Sequence, residues 1–190
     1  IPGRGSVGAS GDLAPLAHLT LALVGEGEAT QDGRALRGAD VCAAAGFVPV
    51  QLEAKEGLAL LNGTQVSTAL ALDGWQRTKR LLEAAVAIGA LTVEALAGSH
   101  APFDPRIHAA RGQAGQQRVA AALATLLAES EIHASHANCD RVQDPYAVRC
   151  MPQVLGAAWD TLEHAGRVLQ AEVNGVSDNP LIFPDTGEVL

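Results

Sequence analysis

Residues 5–18 are Gly-Ser-Val-Gly-Ala-Ser-Gly-Asp-Leu-Ala-Pro-Leu-Ala-His. Small residues crowd Gly5 to Gly11, and a helix-like apolar pattern begins straight after Asp12. Several chemistries compete for such a stretch. A phosphate cradle belongs in a βαβ unit, and a nucleophile elbow belongs between a strand and a helix. A backbone that reacts with itself needs only a sharp bend. The plain option is a tight Gly/Ser turn ahead of a helix capped by Asp12.

The first two options lack their context. Gly3-Arg4-Gly5-Ser6-Val7-Gly8 spells G-x-G-x-x-G, but no strand pattern precedes it and the chain beyond is helical in pattern. Gly8-Ala9-Ser10-Gly11 is one residue short of the G-x-S-x-G elbow, and His18 lies too near Ser10 to be an obvious triad base. The third option uses what small residues permit. A sharp bend brings the Gly11 nitrogen toward the Ala9 carbonyl carbon, and the absent Cβ at Gly11 leaves both the strained backbone and the attack unobstructed. Ring closure with loss of water, plus dehydration of Ser10, yields a methylidene conjugated to an imidazolone. That group is an electrophile which the twenty side chains do not supply, and the following helix start offers N–H groups to developing negative charge.

Composition agrees with a helical chain. With 190 residues, 48% hydrophobic and only 3% aromatic, the sequence can bury a core of closely packed Ala/Leu-rich helices, with one domain as the default. A net charge of −8 without any Lys/Arg run argues against nucleic-acid or anionic-membrane partners. No apolar run approaches the roughly 20 residues of a membrane span. Cys42, Cys139 and Cys150 are a sparse, odd set that suits reduced thiols in the cytoplasm.

Along the chain, a helix is expected over 13–24, ended by Gly25 and Gly27. The Asp32-Gly33 turn predicts a hairpin, and short helices follow near 40–45 and 54–61, the second broken at Asn62-Gly63. Residues 64–97 carry apolar positions at a broadly helical period, giving one helix on the order of 50 Å long. After a Pro-containing loop at 102–105, helices are expected over 113–127 and 152–174. Residues 129–149, dense in His, Asn, Asp and Gln, read as a loop. The start at Ile1-Pro2-Gly3, and a terminal strand pattern at 187–190 with no partner after it, suggest an internal piece of a longer protein. The fold class is all-α, a long-helix bundle with a small β-hairpin decoration.

With these pieces in place, residues 5–18 resemble the signature of the histidine and aromatic amino-acid ammonia-lyases. Leu60-Leu61-Asn62-Gly63-Thr64-Gln65 resembles that family's asparagine segment. Ser135-His136-Ala137-Asn138-Cys139-Asp140 and the run Arg141 to Cys150 resemble its central active-site loop, and Glu172 to Phe183 resembles a later segment. The resemblance thus covers essentially the whole chain, in order, and implies the long-helix bundle of the ammonia-lyase and fumarase-like type. Residues 1–190 would then be a single central portion of the catalytic domain. The wording Ser-His-x-Asn-Cys-Asp-x-Val-Gln-Asp-Pro-Tyr sits closest to the histidine branch, which implies conversion of L-histidine to trans-urocanate and ammonia. Tyrosine or phenylalanine ammonia-lyase and 2,3-aminomutase are the alternatives within the family. A non-catalytic or unprocessed helical assembly segment is the alternative outside it.

The resemblance also implies roles. Ala9, Ser10 and Gly11 would form 4-methylidene-imidazol-5-one (MIO), with Asp12 supporting the cyclisation. Asn62 would hydrogen-bond the ring's carbonyl region and the substrate amine. Arg149 would clamp the substrate carboxylate through its two-pronged guanidinium, while Gln143 and Tyr146 would line the site and orient ring and substrate. Ala147-Val148 departs from a family pattern that often has Ser-Leu there. His133, His136 and Cys139 recur at three-residue intervals, but no fourth ligand is spaced to complete a zinc site, so no metal is expected. The family's general base is a tyrosine N-terminal to the triplet, whereas Tyr146 is the only tyrosine here. Family members are homotetramers with active sites shared between subunits, so residues 1–190 alone are expected to be inactive.

Overall fold

The computed structural model describes residues 1–190. In chain order the elements are α1 (Leu13–Leu23), β1 (Glu28–Gln31), β2 (Arg34–Arg37), α2 (Gly38–Ala44), α3 (Glu56–Ala59) and α4 (Gln65–Ala95). A 3-10 turn at Ala101–Phe103 precedes α5 (Pro105–Arg111), α6 (Ala114–Leu126), α7 (Glu131–Ser135), α8 (Tyr146–Arg149) and α9 (Met151–Asn174). The chain closes with β3 (Ile182–Phe183) and β4 (Glu188–Val189). The long-helix, β-decorated architecture expected from the sequence is what the chain adopts. It packs as two units, Ile1–Leu72 with Leu169–Leu190, and Asp73–Val168, with residues of α4 and α9 divided between them.

In the first unit, α1 packs on α2. Cys42 is fully buried between them, its thiol donating to the Ala22 carbonyl at 3.2 Å. The turn of the β1–β2 hairpin is Asp32-Gly33, both at positive φ, as the right-handed strand twist demands. Three expectations need correction here. The helix expected over 54–61 shrinks to Glu56–Ala59, because Lys55 takes a left-handed φ of +77 that no helix interior accommodates. Asp12 stands at the start of α1 but makes no side-chain cap to it, its carboxylate being committed elsewhere. The strand near 187–190 is paired after all: β4 runs antiparallel to β3 upstream, with Val189 opposite Ile182.

In the second unit, the α4 residues Val86, Ala90 and Val93 pack with Phe103, Val119, Leu123, Leu127 and Val148 into one buried cluster. Each large side chain buried there contributes about 1.5–3 kcal/mol over exposure. Helices α6 and α9 approach closely at Gly115 and Gly156, where a Cβ on either residue would strike the other helix's backbone. Fully buried His108 is satisfied on both ring nitrogens, by the Pro102 carbonyl and the Gln116 amide, each at 2.9 Å. The loop expected at 102–105 is in part helical: Pro105 begins α5 and the Asp104 carboxylate accepts the Arg106 N–H at 2.9 Å. Residues 129–149 likewise hold α7, capped by Ser130 accepting the His133 N–H, and α8. Such caps hold turns too short to show a hydrophobic period. No helix is long and apolar enough to cross a membrane.

Candidate active site

The Ala9-Ser10-Gly11 triplet lies in a bend built from left-handed residues. Gly8, Ser10 and Gly11 have φ of +70, +64 and +88. For a non-glycine such as Ser10, that conformation costs on the order of 1–3 kcal/mol and persists only where the surroundings enforce it. They do so through the Asn62-Gly63 turn. The Asp12 N–H donates to the Gly63 carbonyl at 2.7 Å. A Cβ on Gly11 would lie 2.5 Å from that same oxygen and 2.9 Å from the Gly63 nitrogen. Glycine at position 11 is therefore required twice, by φ and by contact.

Asp12 is 1% exposed. Its Oδ1 accepts the Ser6 hydroxyl at 2.5 Å, while its Oδ2 accepts the Ser67 N–H at 2.7 Å and the Ser67 hydroxyl at 2.9 Å. Burial pushes this carboxyl upward. The hydrogen bonds from Ser6, Ser67 and the Val66 N–H outweigh that push and leave it below the ordinary 3.8. Asn62 is also buried, and its Nδ2 donates to the Asn179 carbonyl at 2.9 Å and to Asp178 Oδ1 at 3.4 Å. Lys55 forms an ion pair with Asp178, and the Thr64 hydroxyl donates to Glu172. The first unit thus brings Ala9, Ser10, Gly11, Asp12 and Asn62 together.

The other expected residues lie in the second unit. Gln143 and Arg149 line a cleft of about 720 Å³ with Ser99, His133, His136 and Gln153. Arg149 donates through Nε to the Asp144 carbonyl at 2.9 Å. That bond fixes the plane of the guanidinium and leaves its two terminal nitrogens as the fork for a carboxylate. Its guanidinium carbon lies 5.7 Å from the ring centre of Tyr146, an exposed residue in the same short helix, α8. Asp144 is buried: Oδ2 accepts the Ser99 N–H at 2.7 Å and Oδ1 accepts Arg141 Nη1 at 2.8 Å. The Ser99 N–H first, and then Arg141, hold its carboxyl below the ordinary value. His133 is stacked on His100, with ring centres 3.9 Å apart.

Several residues of these networks carry little or no sequence signal, among them Asp144, Asp178, Lys55 and Ser67. Asp144 and Asp178 sit inside segments whose resemblance was noted, and an acid flanked by Gln-x-Pro or Ser-x-Asn-Pro was the available signal. Lys55 and Ser67 carry none, since their partners are far off in the chain.

The family model for aromatic amino acid lyases matches residues 1–190. The histidine ammonia-lyase of Paracidovorax citrulli is 60% identical over the whole chain, and that of Aromatoleum aromaticum 58%. The chain spans 37% and 36% of their lengths. Among solved structures, the phenylalanine aminomutase of Pantoea agglomerans superposes with a TM-score of 0.88 at 34% identity, covering all of this chain and 40% of that one. Histidine ammonia-lyase from Trypanosoma cruzi gives a TM-score of 0.81 at 38% identity, covering 97% of this chain and 34% of that one. The chain belongs to the aromatic amino acid lyase family.

Proposed function

We propose that the full-length protein is a histidine ammonia-lyase, eliminating ammonia from L-histidine to give trans-urocanate. In this reading, residues 1–190 are the central portion of its catalytic domain. The observation that carries the chemistry is the triplet's geometry: Ser10 and Gly11 both at positive φ, with Gly11 held against the Gly63 backbone. These residues fit MIO formation, since closure needs a curled backbone and an unhindered Gly11 nitrogen. The group, once formed from Ala9-Ser10-Gly11, supplies an electrophile. The chain's own side chains do the rest. Arg149 holds the substrate carboxylate on its terminal nitrogens, with Asp144 fixing its plane. Gln143 and Tyr146 border that substrate end, and the Asn62 amide, whose Nδ2 is held by Asn179 and Asp178, keeps its oxygen for the amine.

Histidine is favoured over tyrosine and phenylalanine by the 58–60% identity to histidine ammonia-lyases along the whole chain. Leu81, Ile88 and Leu91 of α4, each 61–70% exposed, offer apolar surface to the rest of the full-length chain and to the other subunits of a homotetramer with shared sites. Free thiols at Cys42, Cys139 and Cys150 support a cytoplasmic setting. The test is an assay of the full-length protein on L-histidine, L-tyrosine and L-phenylalanine, following each unsaturated product. Turnover of histidine above the other two is expected. Preference for an aromatic substrate, or a β-amino acid product, would move the assignment to the other branches.

A further inference from the structure

We propose that Ser6 and Ser67 are positioning residues for closure of the Ala9-Ser10-Gly11 ring, acting through the Asp12 carboxylate; this rests on the ring-forming reading above. A carboxylate 1% exposed needs partners, and none of the donors on Asp12 is a cation. They are two hydroxyls and backbone N–H groups, that of Ser67 lying at 2.7 Å. These N–H groups belong to the first turn of α4, a helix of 31 residues whose leading N–H groups have no partner within the helix. Asp12 therefore caps α4 from a distance of 55 residues, although it sits at the start of α1.

This arrangement ties the reacting loop at both ends. Ser6 fastens to Asp12 and closes residues 6–12 on themselves. Ser67 fastens Asp12 to α4, and the Asp12 N–H fastens the same residue to Gly63. Between the ties, Gly8, Ser10 and Gly11 take left-handed φ, and closure requires a curl that turns the Gly11 nitrogen back toward Ala9. In closure that nitrogen bonds to the Ala9 carbonyl carbon and its proton passes to the oxygen. The resulting hydroxyl leaves as water with the Ser10 N–H proton. The Ser10 hydroxyl leaves as a second water with the Cα proton. No oxidant or reductant enters. Glycine-rich loops lose much conformational freedom on ordering, and the two serines lower that cost before the reaction begins.

The test is intact-mass spectrometry of the full-length protein, sampled at fixed times after synthesis, for wild type, Ser6→Ala, Ser67→Ala, the double variant and Ser67→Thr. Both serines are exposed, so neither substitution opens a core cavity, and far-UV circular dichroism confirms the helical fraction measured. Wild type and Ser67→Thr should be two waters lighter than their encoded masses. The double variant should lose water about tenfold more slowly, with each single Ala variant between. A double variant processed as fast as wild type would overturn the role of the serines and leave the ring reading intact. Wild type at its encoded mass would overturn the ring reading itself.

Discussion

Gly11 and Gly63 meet backbone to backbone: a Cβ on Gly11 would sit 2.5 Å from the Gly63 carbonyl oxygen. The triplet and the asparagine segment, distant in sequence, are thus one structural feature. Gly11→Ala must force the two backbones apart and also strain a residue at φ +88. The expected cost is about 1–3 kcal/mol, read as a lower melting temperature, together with loss of dehydration in the intact mass. Normal processing in this variant would show that the contact is irrelevant to the ring.

Arg149→Lys replaces a planar fork with a point charge at the end of a flexible stem. The Nε bond to the Asp144 carbonyl disappears with it. In the full-length protein, KM should rise and kcat/KM should fall by roughly tenfold or more. Kinetics matching wild type would place Arg149 outside the substrate's reach.

Gly156→Ala tests the packing that holds the second unit. The added Cβ would come within 2.5 Å of Gln116 Cα and 2.7 Å of the Gly115 carbonyl carbon. Backbone atoms have no rotamer by which to retreat, so α6 and α9 must separate. A destabilisation of about 1–3 kcal/mol is expected from overpacking, measured by thermal or urea unfolding. An unchanged midpoint would mean that the helices do not meet there.

Asp144 predicts a pH signature. Its folded carboxyl lies below the ordinary 3.8 because the Ser99 N–H and Arg141 favour the charged form. The unfolded state therefore takes up its proton first as pH falls, so the stability Asp144 contributes is complete above 3.8 and is lost as pH drops through the lower folded value. Asp144→Asn should cost on the order of 2 kcal/mol near neutral pH, and the gap to wild type should narrow well below pH 3.8. A gap constant across that range would remove the carboxylate from the account.

Helices with long periods or strong punctuation were legible in the sequence. The expected 64–97 helix matches Gln65–Ala95 and the 152–174 helix matches Met151–Asn174, because their ends carry Gly or turn residues. Asp32-Gly33 announced its hairpin in the same way. The short helices α5, α7 and α8 were hidden, since one or two turns cannot display a period and their stability comes from caps and from burial of Phe103 and Val148. Of the candidate site, the chemically distinctive residues could be read from motif order. The supports could not: Asp12 reaching Ser67, and Asn62 reaching Asp178 and Asn179, are long-range contacts with no local pattern. Asp12 shows the limit most clearly, because a residue that looked like the cap of α1 turned out to cap α4.

Peptide mass spectrometry reads the chemical conversion of Ala9-Ser10-Gly11 without recourse to activity. Arg4 and Arg34 bracket the triplet with no Lys or Arg between them, so trypsin releases residues 5–34 as one peptide. From wild-type full-length protein, that peptide should be two waters lighter than its sequence, with fragmentation placing the whole loss at residues 9–11. A peptide at its encoded mass, from protein that turns over histidine, would show that turnover needs no conversion of the triplet.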